Sequence, residues 1–101
     1  PDLLTYNDVV LNRSTYELGY DNKTQTLSGK EFQIAEMMMQ QPNSIIATEQ
    51  FITHIWGWDS HVDTSVVWVH ISNLRKKIDA VNAPIEIRFV RNAGYILEDK
   101  Q

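Results

Sequence analysis

Residues 63–81, DTSVVWVHISNLRKKIDAV, carry an apolar seam that leaves few folds open to the chain. At roughly 100° per residue, Val67, Ile71, Leu74, Ile78 and Val81 fall within about 40° of one line along a helix. A stripe of that width, about five turns long, has to be buried against other elements. The opposite face carries Ser65, Val69, Ser72, Asn73 and Lys76, flanked by Val66, His70 and Lys77 on one side and Arg75 on the other. A fully buried helix would be apolar all round, and an ordinary solvated face would mix long acids and bases. This face has short side chains over its first three turns, no acid until Asp79, and cations at its C-terminal end. That composition suits a helix laid in a DNA major groove. It is equally compatible with a surface helix whose outer face has no partner.

The charge distribution bears on that choice. Net charge is −4, which taken alone argues against nucleic acid. Residues 1–63 hold three bases (Arg13, Lys23, Lys30) against nine acids, whereas residues 64–91 hold five bases (Arg75, Lys76, Lys77, Arg88, Arg91) against Asp79 and Glu86. The positive field, +3, is confined to the organising helix and the residues immediately after it, against −6 upstream. The acidic remainder weakens non-specific binding without forbidding a specific complex.

A chain of 101 residues has room for one domain, 1–101, with one core, and 43% apolar residues is ordinary for a soluble globule. With no cysteine, disulfides and thiolate metal sites are both excluded, and a reducing cytoplasm is compatible. No apolar run approaches the ~18–20 residues of a membrane span, no signal sequence is visible, and no membrane partner is expected. The opening Pro1-Asp2, in place of Met, is what a piece of a longer protein would show.

Residues 3–27 read as a small antiparallel sheet. Short apolar runs (Leu3-Leu4, Val9 to Leu11, Tyr16 to Tyr20, Gln25 to Leu27) alternate with turn residues at Asn7-Asp8, Asn12 to Ser14 and Asp21-Asn22. Ser28-Gly29-Lys30-Glu31 has the spacing of a capping box and opens a first helix over about 29–40, which Pro42-Asn43 stops. Its methionines, Met37 to Met39, are expected in the core. Ser44 to Ala47 is a candidate strand. Thr48 is the expected cap of a second helix over 49–56, with Phe51, Ile52, Ile55 and Trp56 as core and Gly57 as its end. A loop with Trp58, Asp59, Ser60 and His61 leads to the third helix, 63–80. Beyond Pro84 the period changes to two, with Ile85, Ile87 and Phe89 inward. Arg91 to Gly94 turns the chain, and Tyr95 to Leu97 returns, giving a hairpin over 85–98. A hairpin with arginines near its tip, directly after a groove-reading helix, is the layout of a winged helix.

These residues resemble the C-terminal effector domain of OmpR/PhoB-type bacterial response regulators. The resemblance rests on Leu27 and Glu31-Phe32, Pro42, Trp56-Gly57, Val69 to Ile78, Val90-Arg91 and Gly94-Tyr95, in order over nearly the whole chain. It implies an α+β winged helix-turn-helix with a four-stranded N-terminal sheet, three helices and a C-terminal hairpin wing. The third helix would read the major groove and the wing the adjacent minor groove of double-stranded DNA. The loop before that helix, Trp58 to His61, would face RNA polymerase. The implied whole protein carries a receiver domain absent here, answers to a cognate sensor histidine kinase, acts as a homodimer on direct repeats and resides in the cytoplasm. The chain departs from the family at Ser72, Trp68, Ile96 and Asn92, where a base, an acid, a base and a glycine are usual, so fewer phosphate contacts are available.

The expected DNA-facing residues are Ser65, Val66, Val69, His70, Ser72, Asn73, Arg75, Lys76, Lys77, Arg91 and Tyr95. Arg75, Lys76 and Lys77 would anchor phosphates, or else simply complement the helix dipole. Val66 and Val69 suit thymine methyl groups, and Asn73 suits a bidentate contact with adenine. His70 and Ser65 would donate to base edges or phosphates. Arg91 would enter the minor groove, the alternative being a salt bridge to Glu86 or Glu98. Tyr95 would touch phosphate or pack in the core. Trp68 is expected to pack against a neighbouring element. Trp58 would either anchor a partner or fold back on the second helix. His54, Asp59, His61, Asp63 and His70 lack any recognised metal spacing, and no nucleophile motif, phosphate loop or carboxylate pair suggests an enzyme. No cofactor is expected. The competing class is a winged helix used for protein–protein contact, which the acidic N-terminal half would suit. The resemblance also leaves open a transcription factor outside two-component signalling, since the same DNA-binding domain occurs in such factors, including membrane-anchored ones.

Overall fold

A computed structural model describes residues 2–101. Four strands, β1 (Leu3–Tyr6), β2 (Val9–Asn12), β3 (Glu17–Tyr20) and β4 (Lys23–Thr26), form an antiparallel meander in sequence order. Two of its turns are closed by polar pairs with positive φ, Asn7-Asp8 (49° and 63°) and Asp21-Asn22 (49° and 68°). Both central residues left-handed is the geometry that matches strand twist in a two-residue hairpin, and Asn and Asp tolerate it best. Tyr16 does not join the third strand as its apolar neighbours suggest. It sits in the preceding turn at φ 61°, with its ring stacked 4.1 Å from that of Phe32.

Helix α1 (Gly29–Gln40) begins with the expected reciprocal cap: Ser28 Oγ accepts from the Glu31 amide at 3.3 Å, and Glu31 Oε1 accepts from the Ser28 amide at 2.9 Å. Its three methionines are all buried, alongside Phe32, Ile34 and Ala35. Strand β5 (Ile45–Ile46) then crosses to pair with the C-terminal hairpin.

Helix α2 (Thr48–Phe51) has Ala47 at its N-cap, not Thr48, which already lies inside the helix. Alanine has no acceptor to offer, and Gln50 supplies one from within by accepting the Ala47 N–H at 2.8 Å. The helix continues as a π turn over Ile52–Trp56 and stops at Gly57, whose φ of 105° suits glycine. Of its expected core residues, Phe51 and Ile55 are buried, while Ile52 and Trp56 are half-buried.

Helix α3 (Thr64–Ala80) has Asp63 at its N-cap and is followed by the hairpin of β6 (Ile85–Val90) and β7 (Gly94–Asp99). The second sheet has the order β5-β7-β6. At Gly94, φ is 147° and a Cβ would lie 2.1 Å from the Ile46 carbonyl oxygen, so no side chain fits between β7 and β5. The alternation expected in β6 holds for Ile85 and Ile87 but fails at Phe89, which is 55% exposed. Tyr95, directly opposite it in the hairpin, is buried instead. The two sheets are tied at the hairpin base by Asp99, whose carboxylate accepts from Tyr6 Oη at 2.8 Å and Asn7 Nδ2 at 3.0 Å. The core lies between the N-terminal sheet, α1, the inner stripe of α3 and the proximal hairpin.

Candidate nucleic-acid interface

Val67, Ile71, Leu74, Ile78 and Val81 are all buried, which fixes the rotation of α3 and turns its opposite face outward. Ser65, Val69 and Lys76 are exposed on that face, and Val66, His70, Ser72 and Asn73 are half-buried along it. Asp63 accepts from Ser65 Oγ at 3.1 Å and Thr64 Oγ1 at 3.3 Å. Those hydrogen bonds, Ser65's first, hold its carboxyl below the ordinary aspartate value. A fixed negative charge there complements the positive helix end.

The cations of α3 have separate fates. Arg75 Nε donates to the Ile87 carbonyl of β6 at 3.0 Å, and its guanidinium carbon lies 6.0 Å from the Tyr95 ring. Arg75 therefore ties α3 to the hairpin as well as lending it charge. Lys77, expected as a phosphate anchor, is engaged within the fold. Its Nζ lies 2.6 Å from Glu31 Oε1 and donates to the Thr26 carbonyl at 2.9 Å, because Glu31 is only 5% exposed and needs a counter-charge. Burial pushes the Glu31 carboxyl up, but the hydrogen bonds from Lys77 and the Ser28 amide outweigh it, and the net shift is downward. Lys76 points outward, with no ion pair among the described residues.

On the wing, Arg88 takes Glu98 in a two-pronged pair at 2.8 and 3.2 Å. Arg91 is exposed at the tip and pairs with neither Glu86 nor Glu98. Tyr95 cannot present itself to a phosphate: it is 3% exposed, packed edge-on to Phe51 at 6.3 Å and tilted against Phe89 at 5.3 Å. Burial raises its phenol pKa, with Arg75 pulling the other way. Of its two expected roles the core one holds.

Two residues on the flanks of α3 escape sequence reasoning. Lys30 Nζ sits 5.2 Å over the Trp56 ring, which in turn lies 5.7 Å from the His70 ring, bringing a cation from α1 to the flank of α3. Phe89 stands exposed beside the same helix. No local pattern signals either. Trp68, expected to pack against a neighbouring element, is 55% exposed and lines an open cleft together with Phe89 and Tyr95 of the hairpin. In the loop before α3, Asp59 and His61 are exposed and Ser60 is half-buried, its amide bonded to the Gly57 carbonyl at 3.1 Å. Trp58 is 85% exposed, which removes the alternative that it folds back onto α2.

Residues 22–97 match the family described as "Transcriptional regulatory protein, C terminal". The chain is 42% identical over 96 residues to the heme response regulator HssR of Staphylococcus aureus, an alignment that covers 95% of this chain and 43% of HssR. The chain thus spans less than half the length of the curated relatives it matches. Among solved structures, it superposes on the C-terminal domain of the nisin resistance regulator NsrR, a lantibiotic response regulator, with a TM-score of 0.80 at 29% identity, covering 97% of this chain and 99% of that one. The DNA-binding domain of Klebsiella pneumoniae RstA, solved in complex with the RstA box, gives a TM-score of 0.79 at 24% identity over 97% of this chain and 98% of that one. A four-stranded sheet, three helices and a terminal hairpin in this order, with the family match over most of its length, place the chain: it belongs to the OmpR/PhoB-type family of transcriptional regulatory C-terminal domains.

Proposed function

We propose that this domain binds double-stranded DNA sequence-specifically, with α3 in the major groove and the wing tip at the adjacent minor groove. The observation that carries the reading is the outer face of α3. It is backed by five buried residues and exposes Ser65, Val69 and Lys76 with Asn73 beside them, while the exposed Arg91 at the wing tip has no ion pair among the described residues. Small polar and apolar side chains read base edges, and cations that no acid neutralises are available to phosphates. Asn73 reads adenine, Val66 and Val69 meet thymine methyl groups, and His70, Ser65 and Ser72 serve as donors along the groove walls. Lys76, Arg91 and the outward edge of the Arg75 guanidinium meet phosphates.

In the whole protein, a receiver domain phosphorylated by a sensor histidine kinase brings two such domains onto direct repeats in the cytoplasm. Pairing modules with few phosphate contacts raises their apparent affinity through effective concentration. The loop with Trp58, Asp59, Ser60 and His61 faces RNA polymerase.

Binding-site selection on the isolated domain, followed by anisotropy titrations over a salt series, tests the core of this reading. Each phosphate contact adds roughly 0.9 to the log–log slope of affinity against salt, so three contacts give about 2.7. Salt-independent affinity, or no binding to selected tandem sites at low salt, would rule it out and favour a protein-binding winged helix.

A further inference from the structure

We propose that Trp68 and Phe89 form an apolar reading edge for thymine methyl groups on the wing side of α3, an inference that rests on the DNA-binding reading above. Trp68 lies three residues after Ser65 and four before Ser72, so it adjoins the outward face on the flank turned to the hairpin. The Arg75 bond to Ile87 draws α3 and β6 together about two turns further on. Toward the N-terminal end of α3 the two elements part, leaving an open cleft of about 520 Å³ with Trp68 on the helix and Phe89 on the strand. Tyr95, fixed between Phe51 and Phe89, lines the same cleft.

The chemistry of the cleft decides what enters it. None of its lining residues is a lysine or arginine, and Glu49 and Asp63 are carboxylates. A phosphate is therefore repelled, and the favoured group is uncharged and apolar. The apolar group that DNA presents in the major groove is the C5-methyl of thymine. Two large rings held half in water gain by being covered, and the strand register that sets Phe89 opposite Tyr95 leaves little side-chain freedom to lose on contact.

The inference is tested on the selected duplex by replacing each thymine in turn with deoxyuridine, which removes the methyl and keeps the pairing. At one or two positions beside the wing the wild-type domain should lose about fourfold in affinity, the equivalent of burying one methyl group. With Trp68→Ala or Phe89→Ala the methyl should no longer matter at those positions, while the salt slope stays that of the wild type. Because Trp68 is 55% exposed, Trp68→Ala should keep the wild-type unfolding midpoint, and Trp68→Gln serves as a bulkier second variant; Phe89→Ala uncovers the Tyr95 ring and should lower the midpoint, so its methyl dependence is measured well below that midpoint. A methyl effect that persists unchanged in all three variants, or no methyl effect beside the wing, overturns the inference. So does a selected site with no thymine there, or a loss of transcription in Trp68→Ala without loss of methyl dependence, which assigns the patch to a protein partner. If the wild type binds no selected duplex at all, the DNA-binding reading itself has failed; a normal salt slope without methyl coupling removes only the aromatic edge.

Discussion

The two halves of α3 differ in how they are held. The C-terminal half is tied on both flanks: Arg75 bonds the Ile87 carbonyl of the hairpin, and Lys77 bonds Glu31 and the Thr26 carbonyl on the opposite side. The N-terminal half carries Ser65, Trp68 and Val69 into solvent and is held by apolar packing, with Val67 and Ile71 buried and the His70 ring 5.7 Å from that of Trp56. The more cationic half is thus largely consumed in building the scaffold, and the half with short or apolar side chains is left to read. A rigid anchor on one end lowers the freedom that side chains on the other end lose when a partner binds. Experiments on the anchored half should move stability, and experiments on the open half should move recognition.

The largest effect belongs to Lys77. Lys77→Ala leaves the Glu31 carboxylate buried without its partner and should cost about 3 kcal/mol, the low end for breaking a buried pair, since Lys77 itself is partly exposed. Urea unfolding measures it. A variant as stable as the wild type but weaker on every DNA sequence would return Lys77 to the phosphates and blur the contrast between the halves. The same pair gives a pH dependence. The folded Glu31 pKa is depressed, so its stabilisation is present above the unfolded glutamate pKa and is lost as pH falls through the folded one. Unfolding titrations from neutral to acid pH should show that loss in the wild type and much less of it in Glu31→Gln.

Next comes Asn73, on the reading side. Asn73→Ala should cost about 1–3 kcal/mol on the selected site and relax preference at one or two base pairs, with stability little changed. Lys76→Ala should instead weaken all sequences alike and lower the salt slope by about 0.9. An unchanged motif and affinity in Asn73→Ala would mean that α3 is rotated differently on DNA from the outward face described here.

The neighbours Lys76 and Lys77 also mark where a sequence stops being legible. The seam from Val67 to Val81 and the Ser28–Glu31 cap are periodic or local, and both are present as the spacing predicts. The turn pairs Asn7-Asp8 and Asp21-Asn22 are legible for the same reason, since their chemistry lies within a few neighbouring residues. The fate of Lys77 depends on a carboxylate 46 positions away whose burial no helical wheel reports. Phe89 occupies an inward position in the alternation of the sequence, yet it is 55% exposed while Tyr95 opposite it is buried, a difference that no local pattern reports. Tyr95 is its mirror image: a residue that the resemblance offers to phosphate is taken by the core because Phe51 and Phe89 close around it. Thr48 carries the right side chain for a cap one position too late, and Gln50 accepts the free amide from inside the helix instead. Apart from that local shift of the cap, what the sequence leaves open is a long-range contact or the exposure of a side chain at the edge of the packed layers.

The smallest expected effect on the fold is at Trp58, and it extends the comparison beyond α3. The side chain is 85% exposed in the loop that follows Gly57 and precedes the Asp63 cap. With so little of the ring in contact, Trp58→Ala should change stability by no more than about 0.5 kcal/mol, the range of an ordinary surface substitution. DNA affinity should also be unchanged, because the residue lies outside the outward face of α3 and carries no charge. If the loop docks on polymerase, transcription in a reconstituted assay should nevertheless fall, since an exposed tryptophan is among the residues most often found to anchor an interface. The three measurements separate the possibilities cleanly. Normal stability and binding with reduced transcription assign Trp58 to a protein contact. Reduced binding would place the loop against DNA and extend the reading surface N-terminally past Asp63. Normal values in all three would leave the exposed ring without a role in transcription and confine recognition to α3 and the wing.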